Sequence, residues 1–219
     1  MLLGMTITHA QPYFCTDQGT RLEYVRTEAE SGKKVYSHVM GILDVKTDAA
    51  GVHVDYSSDF HKASGTQMYG GPVALHALVT PQDAVCLDPG DSMSSVFRNM
   101  FPGAKVTSTG AETILPSTLV PGISLPDASC TVSVAGVRYR VDITERKVLR
   151  NEWIVTPAGS FDCVVITEHK VEKGPGRNRV TTALTWYARG VGMVRHDTYD
   201  RNMVLETSEI LNKFLPSRK

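Results

Sequence analysis

At residues 137–144 the chain reads VRYRVDIT, so that apolar side chains alternate with polar ones. Alternation at every second residue is typical of a β-strand that buries one face. Alternating segments of this kind continue to residue 211, separated by short turn signals such as Gly190-Val191-Gly192. Connections this short place neighbouring strands antiparallel, so residues 137–211 predict an antiparallel sheet.

The first half of the chain adds a meander, one helix and a loop. Residues 20–61 are typical of three strands joined by tight turns. Asp91 can cap a helix at about residues 91–101, which carries apolar residues on one face before Pro102-Gly103 ends it. Prolines recur through residues 115–127 and cannot donate hydrogen bonds to a sheet, so this segment is predicted to be a proline-rich crossing loop.

Part of the predicted sheet is apolar on both faces. Val164 and Ile166 lie opposite Val165, so both faces of their strand must be covered. Upstream, separate strands are predicted at residues 137–150 and 152–156. We therefore expect an all-β, mainly antiparallel fold, a strongly curved open or partly closed barrel-like sheet covered by the helix and the crossing loop. The sequence leaves the order of the strands open.

Composition limits the classes of partner. The chain has 219 residues, and its 23 basic side chains balance 23 acidic ones. Because no net field draws it to polyanions, we expect no nucleic-acid partner. No apolar run approaches the roughly 18 residues of a transmembrane helix. Residues 1–10 resemble the remnant of an export leader, or else form an ordinary frayed terminus, and residues 11–219 are predicted to be a single β domain.

The cysteines Cys15, Cys86, Cys130 and Cys163 are scattered and form no C-x-x-C pair. Their spacing excludes a zinc ribbon and a thioredoxin-type redox motif. Disulfide pairing among them stays open, but Cys130 and Cys163 share strand faces with apolar residues, which favours buried free thiols. Gly190-Val191-Gly192 lacks the third glycine and the following helix of a dinucleotide-binding fingerprint, so we expect no cofactor.

One predicted strand carries a polar cluster. His53, Asp55, Asp59 and His61 share a face and could bind a metal ion if a neighbouring strand supplied a further ligand. A solvated strand face gives the same pattern, and we favour that interpretation. No metal ligand is therefore predicted.

His196-Asp197 invites a catalytic interpretation. Adjacent strand residues point to opposite faces, however, so the two cannot form the contact between base and orienting acid of a catalytic triad. We therefore predict a surface histidine and no catalytic residue. The basic residues of 138–150, among them Arg146, are likewise predicted to face solvent.

Short segments typical of turns and strands occur along nearly the whole chain. They are Tyr13-Phe14, residues 19–24, 121–128 and 146–148, Glu152, and residues 156–163 and 186–194. In this order they resemble the TapB-like group of bacterial envelope proteins, many of which are domains of unknown function. The resemblance implies export in a Gram-negative bacterium and a sheet like the curved half-barrel of lipoprotein carriers. It also implies a periplasmic or other envelope location, with a hydrophobic ligand or a protein client.

Large aromatic and thioether side chains are candidates to line a cavity in the curve of the sheet. They are Met68, Tyr139, Trp153, Trp186, Tyr187 and Met193. A concave apolar surface is what an apolar ligand needs, and the competing interpretation is ordinary core packing.

Three functional hypotheses follow from these patterns. The preferred one is a non-enzymatic binding module of the cell envelope, which holds a lipid, another apolar ligand or a lipidated or extended client on its concave face. The alternative is a structural or protein-interaction module with a filled core, whose partner is an envelope protein that meets a strand edge or loop. The third is a hydrolase with an unrecognised site. The identity of the ligand or partner and the oligomeric state stay open.

Overall fold

A single sheet makes up most of the protein. The computed structural model describes residues 11–217, and there 13 strands form one antiparallel sheet accompanied by one helix. The elements are β1 (Arg21–Glu28), β2 (Lys34–Asp48), β3 (Gly51–Lys62), β4 (Val73–Val79), β5 (Val85–Leu87), α1 (Pro89–Met100), β6 (Val106–Ala111), β7 (Thr113–Leu115), β8 (Ala128–Val134), β9 (Val137–Thr156), β10 (Gly159–Gly174), β11 (Arg177–Ala188), β12 (Gly192–Tyr199) and β13 (Leu205–Leu215). The predicted leader remnant lies outside the described residues.

The two halves of the chain pair with each other in one sheet, and this sheet curves into a nearly closed barrel. Its strand order is β6-β8-β9-β10-β11-β12-β13-β1-β2-β3-β4-β5-β7, so the first strand lies between the second and the last. In this long-range pairing Tyr24 of β1 lies opposite Leu211 of β13. The prediction of a strongly curved, barrel-like all-β sheet with one short helix is confirmed.

The two edges of the sheet, β6 and β7, are bridged by α1 and by one arginine. Helix α1 packs on β4 from one side and on β6 and β8 from the other. Arg146 of β9 donates from Nη1 to the carbonyl oxygens of Pro126, at 2.9 Å, and Ile114 of β7, at 3.4 Å. These contacts satisfy polar groups at an edge that would otherwise be open.

Strand β9 corrects the sequence prediction of two separate strands. It runs without a break over Val137–Thr156 and pairs with β10 along nearly its whole length. The register shifts opposite Thr167–His169, where Glu145 has a φ of 54°. A β-bulge of this kind re-aims the next side chain while the ladder continues. Arg146 consequently points into the barrel and is 3% exposed, so the prediction that it faces solvent was wrong.

Helix α1 begins two residues earlier than predicted, and its cap is different. Asp88, not Asp91, is the N-cap, and its Oδ1 accepts hydrogen bonds from the backbone N–H groups of Gly90, at 2.7 Å, and Asp91, at 3.2 Å. Pro89 occupies the first turn, where a proline loses no helical hydrogen bond.

The main hydrophobic core and a smaller cluster lie in different parts of the barrel. The main core includes the fully buried Leu22, Val148 and Leu211, and the segment 13–15 packs into it. The smaller cluster, Ala128, Cys130, Val141 and Ile143, lies against Met93 of α1. All four cysteines are free, and every one except Cys86 is buried.

The proline-rich segment crosses the barrel wall beside β9. The backbone N–H groups of Gly122 and Leu125 donate to the carbonyl oxygens of Val148 and Arg146, each at 2.8 Å. Val148 in turn donates to the carbonyl of Ile123 at 2.9 Å. The segment thus satisfies part of its backbone against β9 without forming a regular strand.

Candidate functional site

A half-open cavity of about 450 Å³ lies between α1 and the sheet. Its apolar wall consists of Met93, Val96 and Phe97 of α1, which face Tyr139 and Val141 of β9. Sites for small ligands typically enclose about 300–1,000 Å³ and are lined mostly by apolar side chains. The cavity therefore has the size and the wall of a ligand site.

The wall that α1 contributes follows from helical spacing. Met93, Val96 and Phe97 are three and four residues apart and share one face of the helix. On another face, a Cβ added to Gly90 would lie 3.2 Å from Cβ of Ser108 and 3.4 Å from Cβ of Cys130. The glycine therefore lets the helix approach the sheet closely beside the cavity.

Tyr139 is held in the cavity wall from two sides. Its ring centroid lies 4.7 Å from that of Phe97. On the sheet it lies over Gly174, where an added Cβ would be only 2.5 Å from Cδ1 of the tyrosine. A side chain at position 174 would displace the tyrosine ring. The glycine therefore allows the ring to occupy its position in the cavity wall.

A charged rim borders the same cavity. Its charged lining residues are the basic Arg140, Lys173 and Arg177 and the acidic Glu172. Glu172 accepts a hydrogen bond from Nε of Arg177 at 2.9 Å and lies 3.5 Å from Nζ of Lys170. Burial by itself raises the pKa of Glu172, but these two cations outweigh it and hold the pKa below its ordinary value. Glu172 is therefore ionised at neutral pH, and basic side chains outnumber acidic ones at the rim.

Two further voids continue from this cavity into the barrel. One of about 340 Å³ shares Met93, Val141 and Glu172 with the first. Another of about 220 Å³ shares Tyr56 and Tyr187 with the second. The shared lining residues place the three spaces next to one another, and the innermost is lined partly by residues of the main core such as Tyr24 and Met40.

The middle void has a charged wall. Arg146 lines it with Glu168, and Nε of the arginine is 3.6 Å from Oε2 of the glutamate. Lys170 and Glu172 border the same space. Burial raises the pKa of Tyr187, which also lines it, so this phenol stays neutral at neutral pH.

A buried polar cluster borders the innermost void. Glu209 is 4% exposed; its Oε1 lies 2.9 Å from Nδ1 of His38, and its Oε2 accepts from the Tyr36 hydroxyl at 3.0 Å. Arg26 lies 3.8 Å from the same carboxylate. Burial by itself raises the pKa of Glu209, but His38 and Arg26 outweigh it and hold the pKa low. The barrel interior thus contains an ionised carboxylate paired with Arg26 at this end.

His196 is half-buried opposite Glu209 on the neighbouring strand, so the prediction of a surface histidine was wrong. Its Nδ1 is 2.8 Å from Oγ1 of Thr185, and burial lowers its pKa to about 4. Asp197 points the other way and accepts hydrogen bonds from Arg195 and Ser208. A hydroxyl beside an imidazole is one contact of a triad, but the Glu209 carboxylate is occupied by other partners.

The structure brings part of the predicted ligand set to these voids. Tyr139 lines the cavity beneath α1, Tyr187 lines the two inner voids, and Met193 lines the innermost one. These residues come from β9, β11 and β12, whose pairing in one curved sheet turns them toward a common interior.

The other predicted ligand residues lie elsewhere. Trp186 is buried on the face of β11 opposite Tyr187, where its Nε1 donates to Glu152 at 3.1 Å. Trp153 is 65% exposed. The backbone N–H of Met68 donates to the carbonyl of Phe60 at 2.9 Å, and its neighbour Tyr69 contributes to the cavity wall.

Sequence reasoning missed Tyr69 and the charged rim. Tyr69 stands beside Gly70-Gly71-Pro72, where the strand pattern is weak, so no periodicity assigned it a face. Glu172 and Arg177 flank a turn, and charged residues beside a turn are usually solvated. Their proximity to α1 results from the curvature of the sheet, for which the sequence offers no local signal.

The predicted polar cluster on β3 faces outward. His53 and Asp55 are close to His76 on the neighbouring β4, while His61 lies 3.8 Å from Asp59 on its own strand. Among residues 11–217, no group of three or more histidine, cysteine, aspartate or glutamate side chains is arranged to hold a metal ion. Within the same part of the chain, no helix is both long enough and apolar enough to span a bilayer.

Two solved structures share this architecture. One, a predicted lipoprotein from Parabacteroides distasonis, matches with a TM-score of 0.76 and 21% identity over 94% of this chain and 99% of its own. The other, a predicted exported protein with a YmcC-like fold from Bacteroides fragilis, matches with a TM-score of 0.76 and 20% identity over 93% of this chain and 99% of its own. At these identities the likeness shows the fold alone.

Sequence comparison supplies the family. No curated protein matches the chain. The family model described as DUF3108-like matches residues 17–211, which is most of the sequence. The chain therefore belongs to the DUF3108-like family.

Proposed function

We propose that this protein is a non-enzymatic binding module of the bacterial envelope, which holds an amphipathic ligand in the cavity beneath α1. The observation that carries the proposal is the cavity of about 450 Å³ between the helix and the sheet, with an apolar wall and a charged rim. A filled core would leave no such space, and a ligand site requires it.

The lining indicates the chemistry of the ligand. Phe97, Tyr139 and Val141 offer an apolar surface to a hydrocarbon or aromatic body. At the rim, Arg177 is paired with Glu172, so Lys173 supplies positive charge in excess. An apolar body with one anionic group satisfies both features, since burying the body releases water and the anion meets a cation.

An envelope location fits this ligand class. The two proteins of similar fold are described as a predicted lipoprotein and a predicted exported protein, and amphiphiles are abundant in the envelope. Membership of the TapB-like group and location in the periplasm of a Gram-negative bacterium are more specific predictions. They rest on the short sequence segments that resemble that group. Fractionation of the native host would test the location, and recovery of the protein with cytosolic markers would contradict it.

A retained ligand gives the first test. Protein purified from its own host is measured by native mass spectrometry and again after denaturation. We expect a mass excess that disappears on unfolding and is recovered as an acidic amphiphile in the organic extract. A mass equal to that of the polypeptide alone would count against the proposal.

A cavity-filling variant gives the second test. Val96 lines only the cavity beneath α1 among the three voids, so Val96→Trp should fill it. The probe is a dansyl-labelled fatty acid titrated by fluorescence. We expect binding at least about ten-fold weaker in the variant, which corresponds to about 1.4 kcal/mol. The control is Trp153→Ala, whose exposed side chain lies outside the cavity.

The charge of the ligand is tested separately at Lys173. Lys173→Glu should weaken binding of the labelled fatty acid several-fold, because its carboxylate meets the reversed charge. The affinity for the uncharged alcohol analogue should change by no more than about two-fold. Equal loss of both probes would indicate damage to the cavity and would refute the assigned orientation.

A specific observation favours a second candidate, a protein-interaction module. Trp153 and Val155 share one face of β9 and are 65% and 76% exposed. Exposed aromatic and branched side chains in one patch are typical of a contact surface. A photo-crosslinking amino acid at position 153 should then capture an envelope protein in cells, whereas the same probe at exposed Leu43 should not.

A further inference from the structure

Two histidines face each other on the outside of the barrel, away from the interior voids. His53 of β3 and His76 of β4 bring Nδ1 and Nε2 to within 3.4 Å of each other. The side chains are 33% and 43% exposed, so solvent reaches both. Their strands are hydrogen-bonded neighbours, with Asp55 directly opposite His76, which fixes the two rings on a rigid surface.

A carboxylate lies beside the outer nitrogen of each ring. Nδ1 of His76 lies 2.8 Å from Oδ1 of Asp55, and Nε2 of His53 lies 3.1 Å from Oδ1 of Asp48. An ionised carboxylate can only accept, so Nδ1 of His76 carries the proton that it donates to Asp55, and Nε2 of His76 offers a lone pair toward His53. The two facing nitrogens can share a hydrogen bond, and both can offer lone pairs to one cation beside them.

The distance between the facing nitrogens fits a metal ion. Zinc binds histidine nitrogen at about 2.0–2.1 Å with tetrahedral angles, which places two nitrogen ligands about 3.4 Å apart. Histidine ligands of metals usually donate their other N–H to a carboxylate, as His76 does here to Asp55, while Asp48 lies 3.1 Å from Nε2 of His53. Asp44 and Lys46 on the neighbouring β2 neutralise each other, which leaves Asp48 and Asp55 to favour a cation.

We propose that His53 and His76 form a two-histidine site for a divalent transition-metal ion of the zinc class, with water in the remaining coordination positions and Asp48 and Asp55 orienting the rings. The site is independent of the proposed ligand cavity, since its residues face away from the barrel interior. Two protein ligands and an open coordination sphere predict reversible binding and no permanently held structural ion.

The test is calorimetric titration of the full, tag-free chain with Zn²⁺ at pH 7.5. We expect one ion per chain in the wild type, and affinity at least about ten-fold weaker in His53→Ala and in His76→Ala, because each removes one of two ligands. Asp55→Asn should weaken binding by about ten-fold, as loss of an orienting carboxylate does. His61→Ala is the matched control, since it lies on the same strand and bonds Asp59.

Imidazole nitrogen NMR provides a readout that does not depend on any variant. Addition of Zn²⁺ should shift Nδ1 of His53 and Nε2 of His76 and leave His61 unchanged. The proposal is overturned if the wild type binds no Zn²⁺ at millimolar concentration. It is equally overturned if His53→Ala binds as tightly as the wild type, or if His61→Ala weakens binding to the same extent.

Discussion

Arg146 is the buried side chain that ties β9 to the opposite edge of the barrel, and its removal should be costly. Its guanidinium donates at 2.9 Å to Pro126 and at 3.4 Å to Ile114, and it lies 3.6 Å from Glu168. Arg146→Met keeps most of the side-chain volume but leaves both carbonyls and the glutamate without this partner. The change therefore isolates the polar contribution from packing.

The magnitude follows from burial. The shorter hydrogen bond, made by a charged donor, contributes about 1.5–3 kcal/mol. Removing one partner of a buried ion pair costs about 3–5 kcal/mol, and Arg146 is 3% exposed. We therefore expect Arg146→Met to lower the free energy of unfolding by about 3–5 kcal/mol. In a chain of this size the melting temperature should fall by about 6–20 °C.

A matched control comes from the same strand. Arg140 contacts both carboxylate oxygens of Asp142, at 2.6 and 2.9 Å, which is closer than Arg146 approaches Glu168. Its side chain is 54% exposed, so Arg140→Met should cost under about 1 kcal/mol. The assay is urea unfolding at pH 7, followed by the fluorescence of buried Trp186. We argue that burial, and not the ion-pair distance, determines how much stability is lost. An equal loss of unfolding free energy in the two variants would refute this.

Three further predictions concern stability. His196 has a folded pKa of about 4, below its unfolded value of about 6.5, so the wild type should lose up to about 3 kcal/mol as pH falls from about 6.5 to about 4. In urea unfolding, His196→Gln should lose less unfolding free energy than the wild type between pH 7 and pH 4.5, and an equal loss in both proteins would contradict this. Gly51 has a φ of 137°, and an added Cβ would lie 2.1 Å from the carbonyl oxygen of Val79, so Gly51→Ala should lower stability by about 2 kcal/mol or more. Gly32→Ala, at a positive φ but in open space, should cost about 1 kcal/mol, and equal melting temperatures would argue against the close approach. Leu22→Ala in the core should cost about 2–5 kcal/mol and exposed Leu43→Ala under about 0.5 kcal/mol, both by urea unfolding, and similar costs would contradict the assigned burial.

The local alternation of apolar and polar residues predicted where strands occur, but it did not predict that β9 is one continuous strand. The alternation at 137–144 continues through β9, but Glu145 and Arg146 interrupt it and suggested a solvated stretch. A β-bulge breaks the period without ending the strand, and a single sequence does not distinguish the two. The helix was found from its apolar face, yet its cap was placed three residues late, at Asp91, although Pro89 after Asp88 is a usual start of a helix.

The candidate site was predicted only where aromatic residues share the inner face of the sheet. Tyr139 and Tyr187 reach the voids because each lies on the concave side of a long strand. Trp186 is adjacent to Tyr187 and points to the opposite face, since successive side chains in a strand alternate. Trp153 pairs with Asp162 near the far end of β9, away from the voids, and is 65% exposed. Composition identifies candidates for a cavity, whereas register and curvature decide which of them line it.

The sequence by itself determined the all-β class, the antiparallel neighbours and the single short helix, because each depends on periodicity and turns within a few residues. Only the tertiary structure decided that β1 pairs with β13, that α1 covers a cavity, and that the side chains of His53 and His76 lie next to each other. These contacts join residues far apart in the chain or on different strands. Their free energy depends on how the whole sheet curves, and no local pattern encodes that curvature.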